Sequence, residues 1–314
     1  MIEPFAKVWI NCEANLKISL LRQINEKYEY LAYENNYVYV SRTEESGGGN
    51  KFKCLTVKQE IVDYDEFAYL SDVKKKRKRK ISKLIAKHLE DINNYVLVDV
   101  DLYKWLEGSV AWNKFHWNHY ALLTRYDKET KRVEAFDELQ GNYVKFQKRI
   151  KEVIKSITKE KQGSGIKMLT LNNSTEIPVF AKSKIVSNGY SLITSIKKAQ
   201  NTFYFGMSEN DYRARSHMEL NGVYLQRISG RQSANSTLME LAGAREWLSY
   251  DDSIRLKCKF ELLEKQWEEI RMLVYRIYFD ETGRKSILDE VNHLVEVCLA
   301  EEKEAWEEFL QLIE

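Results

Sequence analysis

Residues 115–137 set the tightest limit on what this 314-residue chain can fold into. Phe115-His116-Trp117-Asn118-His119-Tyr120-Ala121-Leu122-Leu123-Thr124-Arg125-Tyr126-Asp127 reads as a strand, mostly apolar from His119 to Thr124. Asp127-Lys128-Glu129-Thr130-Lys131 supplies a tight polar turn, and Arg132-Val133-Glu134-Ala135-Phe136-Asp137 alternates as a second strand. In an antiparallel pair closed by a short loop, the start of one strand lies beside the end of the other. His119 and Asp137 are therefore brought together, a carboxylate orienting an imidazole. That is two thirds of a nucleophilic triad, and the missing member is the nucleophile.

Cys12 is the candidate. Asn11 is a good N-cap, and Leu16, Leu20, Leu21, Ile24 and Tyr28 follow at helical spacing. A cysteine in the first turn of that helix faces a partial positive charge that favours the thiolate. The competing reading is a small buried apolar residue; the His–Asp pair favours the reactive one. The other cysteines, Cys54, Cys258 and Cys298, read as structural or core residues. Four widely spaced cysteines without a Cys-x-x-Cys fit free thiols in a reducing compartment. The first residues carry no basic-then-apolar leader, so the expected location is cytoplasmic.

Around this hairpin the chain reads as mixed. Tyr37–Val40 and Phe52–Val57 are strand candidates, and the Ser46–Asn50 loop between them lacks the Gly-Lys-Ser/Thr ending of a phosphate-binding loop. Lys74–Lys80 is a pure basic run leading into a one-faced helix through Ile81, Leu84, Ile85, Leu89 and Ile92, with His88 as a packing residue. The run reads first as a solvated helix end, then as a docking patch for an acidic partner. A net charge of +2 disfavours nucleic acid. Tyr95–Asp101 is a buried strand with Asp99 and Asp101 on one side. A metal site at these acids, or a zinc pair of His116 and His119, lacks further ligands, so neither metal nor cofactor is expected.

Gly141 marks a turn, and Tyr143 to about Lys161 is predicted as a helix through Phe146, Ile150, Val153, Ile154 and Ile157. Gln162-Gly163-Ser164-Gly165 breaks it, dividing the chain into domains 1–165 and 166–314. Met168–Leu171 and Val179–Ala181 are extended. Helices are then predicted from Leu192, over Met218–Ile228, over Leu238–Leu248, from an Asp251-Asp252-Ser253 cap to Ile277, and from Ile287 to Leu310. His217 and His293 are treated as structural. No apolar run reaches the roughly 20 residues that span a bilayer. The long amphipathic helices leave room for a homodimer.

Asn11-Cys12-Glu13-Ala14-Asn15-Leu16 resembles the nucleophile segment of papain-like cysteine peptidases, and His119-Tyr120-Ala121-Leu122-Leu123 with Asp137 resembles their His-then-Asp hairpin. The order of elements, ending in a helical region, is similar to the butirosin biosynthesis protein H family. That resemblance implies an α+β fold: a papain-like N-terminal domain with an antiparallel sheet and an all-α C-terminal domain. It implies Cys12 as nucleophile, His119 as base and acid, and Asp137 as orienter, in acyl transfer or thioester hydrolysis from an acyl or peptidyl carrier protein to a small amine or water, in natural-product biosynthesis. Lys74–Lys80 would steer the acidic carrier. The chain departs from the peptidase pattern at Glu13, where Gly is usual, at Ala6 and Lys7, where a Gln is usual nearby, and at Glu138, where Pro is usual. Those changes disfavour a peptidase or amidase and leave a non-catalytic scaffold of the same fold as an alternative.

Overall fold

A computed structural model describes residues 2–45, 51–59, 67–70, 78–109, 111–139, 142–157, 166–171, 179–203, 215–280 and 282–314. The Ser46–Asn50 loop, the Gly141 turn, the Gln162–Gly165 break and all of the basic run before Lys78 lie outside them. The fold is mixed α+β, and the chain divides into two compact units. The first comprises Met1–Ala6, Asn11–Glu29 and Val62–Pro178; the second comprises Lys7–Ile10, Tyr30–Ile61 and Val179–Glu314.

The first unit is built on strands β3 (Phe67–Leu70), β4 (Asn94–Asp101), β5 (Asn118–Asp127), β6 (Arg132–Leu139), β7 (Asn142–Arg149) and β8 (Ile166–Leu171). They form one antiparallel sheet in the order β3-β8-β4-β5-β6-β7. Strand β8 pairs with β4, so the break read at 162–165 precedes a strand of this unit. Val96, Val98 and Val100 of β4 pack with Ile85 and Leu89 of helix α2 (Lys78–His88) and its end. Val153 and Ile154 of α4 (Ile150–Ser156) and Trp105 of α3 (Leu102–Trp105) complete that layer. Leu97 points to the other face, where its cross-strand partner Lys167 ion-pairs with Glu13 of α1 (Cys12–Leu21). A continuous apolar strand is what a sheet covered on both faces requires.

The β5–β6 hairpin forms as read. The Asp127 carboxylate holds the turn by accepting the N–H of Glu129 at 2.9 Å and the hydroxyl of Thr130 at 2.7 Å. The segment after it differs from the prediction. Tyr143–Arg149 is strand, paired along its length with β6, and the helix begins only at Ile150. Phe146 and Ile150 fit a helical spacing, Val144 and Phe146 fit a two-residue one, and pairing with β6 decides between them.

The second unit contains the antiparallel hairpin of β1 (Tyr37–Glu45) and β2 (Lys51–Gln59). Four α-helices lie with it among the described residues: α5 (Lys182–Thr202), α6 (Arg215–Ala244), α7 (Tyr250–Phe279) and α8 (Arg284–Ile313). The two helices predicted at 218–228 and 238–248 are one 30-residue helix, α6. Gly230 sits in its middle, where a Cβ would lie 2.2 Å from the Trp9 carbonyl oxygen. The glycine marks a close approach of backbone rather than a helix end. Ser249, not Asp251, caps α7, accepting the N–H of Asp252 at 3.1 Å. The core runs through Leu256, Phe260, Leu263, Trp267 and Ile270 of α7 and Val291, Cys298, Trp306 and Phe309 of α8. Cys54 and Cys298 are buried, as read, and burial pushes the Cys298 thiol up to about 12. Cys258 is exposed on α7, contrary to its assignment to the core, because its position falls between the buried Leu256 and Phe260 on the outer face. No helix among the described residues is long and apolar enough to cross a membrane.

Candidate active site

Asn11 is extended, and its Oδ1 accepts the N–H of Ala14 at 2.8 Å, so helix α1 begins at Cys12. This capping satisfies one orphan donor and places the sulfur over the positive end of the helix dipole. Glu13 turns inward and is 3% exposed. It is held by Lys17 at 2.9 Å and Lys167 at 2.5 Å, which ties the first turn of α1 to strand β8. Burial pushes the Glu13 carboxyl up, but the two ammonium groups outweigh it and keep it below the usual carboxylate range. The residue that departs from the peptidase pattern thus has a structural partner set of its own.

His119 lies near the start of β5, opposite Val100. Leu122 pairs with Phe136, which places Asp137 diagonally across from His119 on the same face. The His119 Nε2 is 2.6 Å from Asp137 Oδ1. Asp137 is fully buried and accepts two further hydrogen bonds: the Trp105 indole N–H donates to Oδ2 at 2.5 Å, and the Glu138 backbone N–H donates to Oδ1 at 2.7 Å. A carboxylate bonded on both oxygens cannot rotate, and it fixes the plane of the imidazole.

Cys12 is hydrogen-bonded to the same imidazole. With Nε2 facing Asp137, Nδ1 is the nitrogen left for the sulfur. Burial would lower the His119 pKa, but the Asp137 carboxylate and then Cys12 outweigh it and hold the ring well above its usual value. The His119 side chain keeps 16% of its surface exposed, and Cys12 is half-buried, so the pair is reachable from solvent. A cationic imidazole between a thiol and a carboxylate is the arrangement that activates a cysteine for attack on a carbonyl. The sequence reading named Cys12, His119 and Asp137, and the structure brings all three together.

Other candidate residues are placed elsewhere. His116 Nδ1 meets Asp101 Oδ2 at 2.7 Å on the surface, with the ring 4.7 Å from that of Tyr103. Asp101 also caps α3 by accepting the Tyr103 N–H at 3.1 Å, so each histidine has its own carboxylate. Among the described residues no three His, Cys, Asp or Glu side chains converge as a metal site. His88 packs as read, with Nε2 3.0 Å from the Leu169 carbonyl.

Three features of the site escaped the sequence reading: Trp105 behind Asp137, the Glu13–Lys17–Lys167 cluster, and Tyr143. Tyr143 pairs with Glu138 on the hairpin that carries Asp137, and its ring stacks on Phe136 at 5.2 Å. The i,i+4 spacing of Glu13 and Lys17 was the local signal; Trp105, Lys167 and Tyr143 left none. No protein-family model matches the chain, and no curated protein sequence matches it.

Proposed function

We propose that the first unit is a papain-like acyltransferase or thioester hydrolase that works through Cys12. The supporting observation is the single imidazole shared by Cys12 and Asp137, with Asp137 at 2.6 Å. In this reading His119 holds the proton given up by Cys12 as an imidazolium, and the thiolate attacks the acyl thioester on a carrier protein's phosphopantetheine arm. The N–H groups at the open end of α1 face the oxygen that becomes negative. His119 then protonates the leaving thiol, and an amine or water releases the acyl group from Cys12. A thioester suits the site because exchange between two thiols is nearly thermoneutral, which leaves amide formation as the downhill step. An acidic carrier would be steered by the lysines and arginines at and before the start of α2, with salt-sensitive binding.

The test combines a thiol probe with a substrate. Iodoacetamide at pH 6 should label Cys12 ahead of the exposed Cys258, and His119→Ala should remove that preference. Acyl-carrier thioesters should be consumed by the parent protein and not by Cys12→Ala. Uniform labelling without turnover would leave a non-catalytic scaffold. Turnover of a peptide substrate alone would make the chain a cysteine peptidase.

A further inference from the structure

Lys148 stands behind the site rather than in it. It pairs with Val133 across the β6–β7 ladder, on the sheet face that also carries Asp137. Its Nζ lies 5.2 Å from the ring centroid of Trp105 and 5.9 Å from that of Trp112. Trp105 is fully buried, and the Phe146 ring meets it edge-on at 5.6 Å, which fixes the face that the ammonium covers. The same indole donates its N–H to Asp137 Oδ2 at 2.5 Å, and Asp137 Oδ1 lies 2.6 Å from His119 Nε2. A positive charge, an indole, a carboxylate and an imidazole thus follow one another in contact. Burial draws the Lys148 pKa below the usual lysine value, although Glu152 of α4 and Glu107 beyond α3 push it up. Cys12 and Tyr143 are the titratable groups beside the His119–Asp137 pair.

We infer that Lys148 is a positioning residue for the Cys12 chemistry: through the Trp105 indole it keeps Asp137 a carboxylate that orients the His119 proton without taking it, a role that rests on the acyl-transfer reading above. A cation over the ring face is attracted by the π density and draws on it. The N–H then becomes a stronger donor and stabilises negative charge on Asp137. A buried carboxylate with a weaker donor would compete with the imidazole for the proton that the leaving thiol needs. Losing the charge and weakening the donor act in one direction, since each makes the His119–Asp137 pair hold its proton more tightly. No bond forms or breaks at Lys148, and Trp105 keeps its own proton.

The test is Lys148→Met, which keeps an unbranched stem over the rings and removes the charge. Lys148→Arg keeps the charge, and the melting midpoint of each variant is read alongside. In Lys148→Met the His119 titration, followed by imidazole NMR, should show proton affinity raised about threefold, the scale of one cation–π contact. The Trp105 Nε1–H resonance should move upfield as its hydrogen bond weakens. The alkaline limb of Cys12 acylation by the hexanoyl thioester of N-acetylcysteamine, read by intact mass, should move up in pH with the titration. Lys148→Arg should leave all three close to the parent. An unchanged His119 titration in Lys148→Met overturns the inference. A titration that moves while the indole resonance stays overturns it too, because the charge then acts through space alone. Equal changes in Lys148→Arg would trace the effect to packing and also overturn it. A protein in which His119 and Trp105 respond as expected but no thioester is consumed keeps the Lys148 role and removes the acyl-transfer reading.

Discussion

Asp137 shows how much of a site can rest on one carboxylate. It orients His119, and it is itself held by Trp105 and the Glu138 N–H. Asp137→Asn keeps the shape but offers His119 an amide of no charge. The expected outcome is a fall of the His119 pKa toward 6.5, followed by imidazole NMR, with Cys12 alkylation at pH 6 reduced by about 10-fold or more. Because the folded-state value is raised, the stabilisation from the charged ring is complete below the unfolded value near 6.5 and is lost as pH rises through the folded one. In Asp137→Asn that pH dependence should flatten. The three candidate residues were legible in the sequence because each carries a local mark: a cap before Cys12, and a hairpin joining His119 to Asp137. Trp105 and Lys167 reach the site only through sheet pairing, which leaves no trace at short range.

Elements follow the same division. The β5–β6 hairpin was legible because its turn chemistry is local. Strand β7 was read as helix because Phe146 and Ile150 begin a helical spacing that continues through Val153, Ile154 and Ile157, and only the neighbouring strand selects the two-residue period of Val144 and Phe146. Helix α6 was read as two, over Met218–Ile228 and Leu238–Leu248, whereas it runs unbroken through Gly230, where the Trp9 carbonyl comes against the helix. Gly230→Ala would put a Cβ 2.2 Å from that oxygen. It should destabilise the second unit by about 1–3 kcal/mol despite the better helix propensity of alanine, as read by urea unfolding. A stabilised variant would show the contact to be dispensable.

Across the whole molecule, the two units carry different proton sensitivities. Glu302 of α8 is fully buried and accepts hydrogen bonds from Tyr37 at 2.9 Å, Tyr39 at 2.5 Å and Gln232 at 2.7 Å. Burial outweighs these donors and raises its pKa to about 7. A raised carboxyl binds its proton more tightly when folded, so its stabilising effect is full below about 4.5 and lost as pH climbs through about 7. The second unit should lose about 3 kcal/mol over that interval, and Glu302→Gln should remove most of the slope in melts at pH 5 and pH 7.5. Glu13 in the first unit behaves oppositely: its pKa is lowered, so its contribution is present above about 4.5 and lost on acidification.

Lys7–Ile10 belongs to the second unit, while the residues on either side of it belong to the first. Cys12 thus follows closely on a segment that its own unit does not own. No single cut through this chain yields either half whole: a fragment ending at Pro178 would carry the β1–β2 hairpin stripped of its helices, and one beginning at Val179 would lack that hairpin.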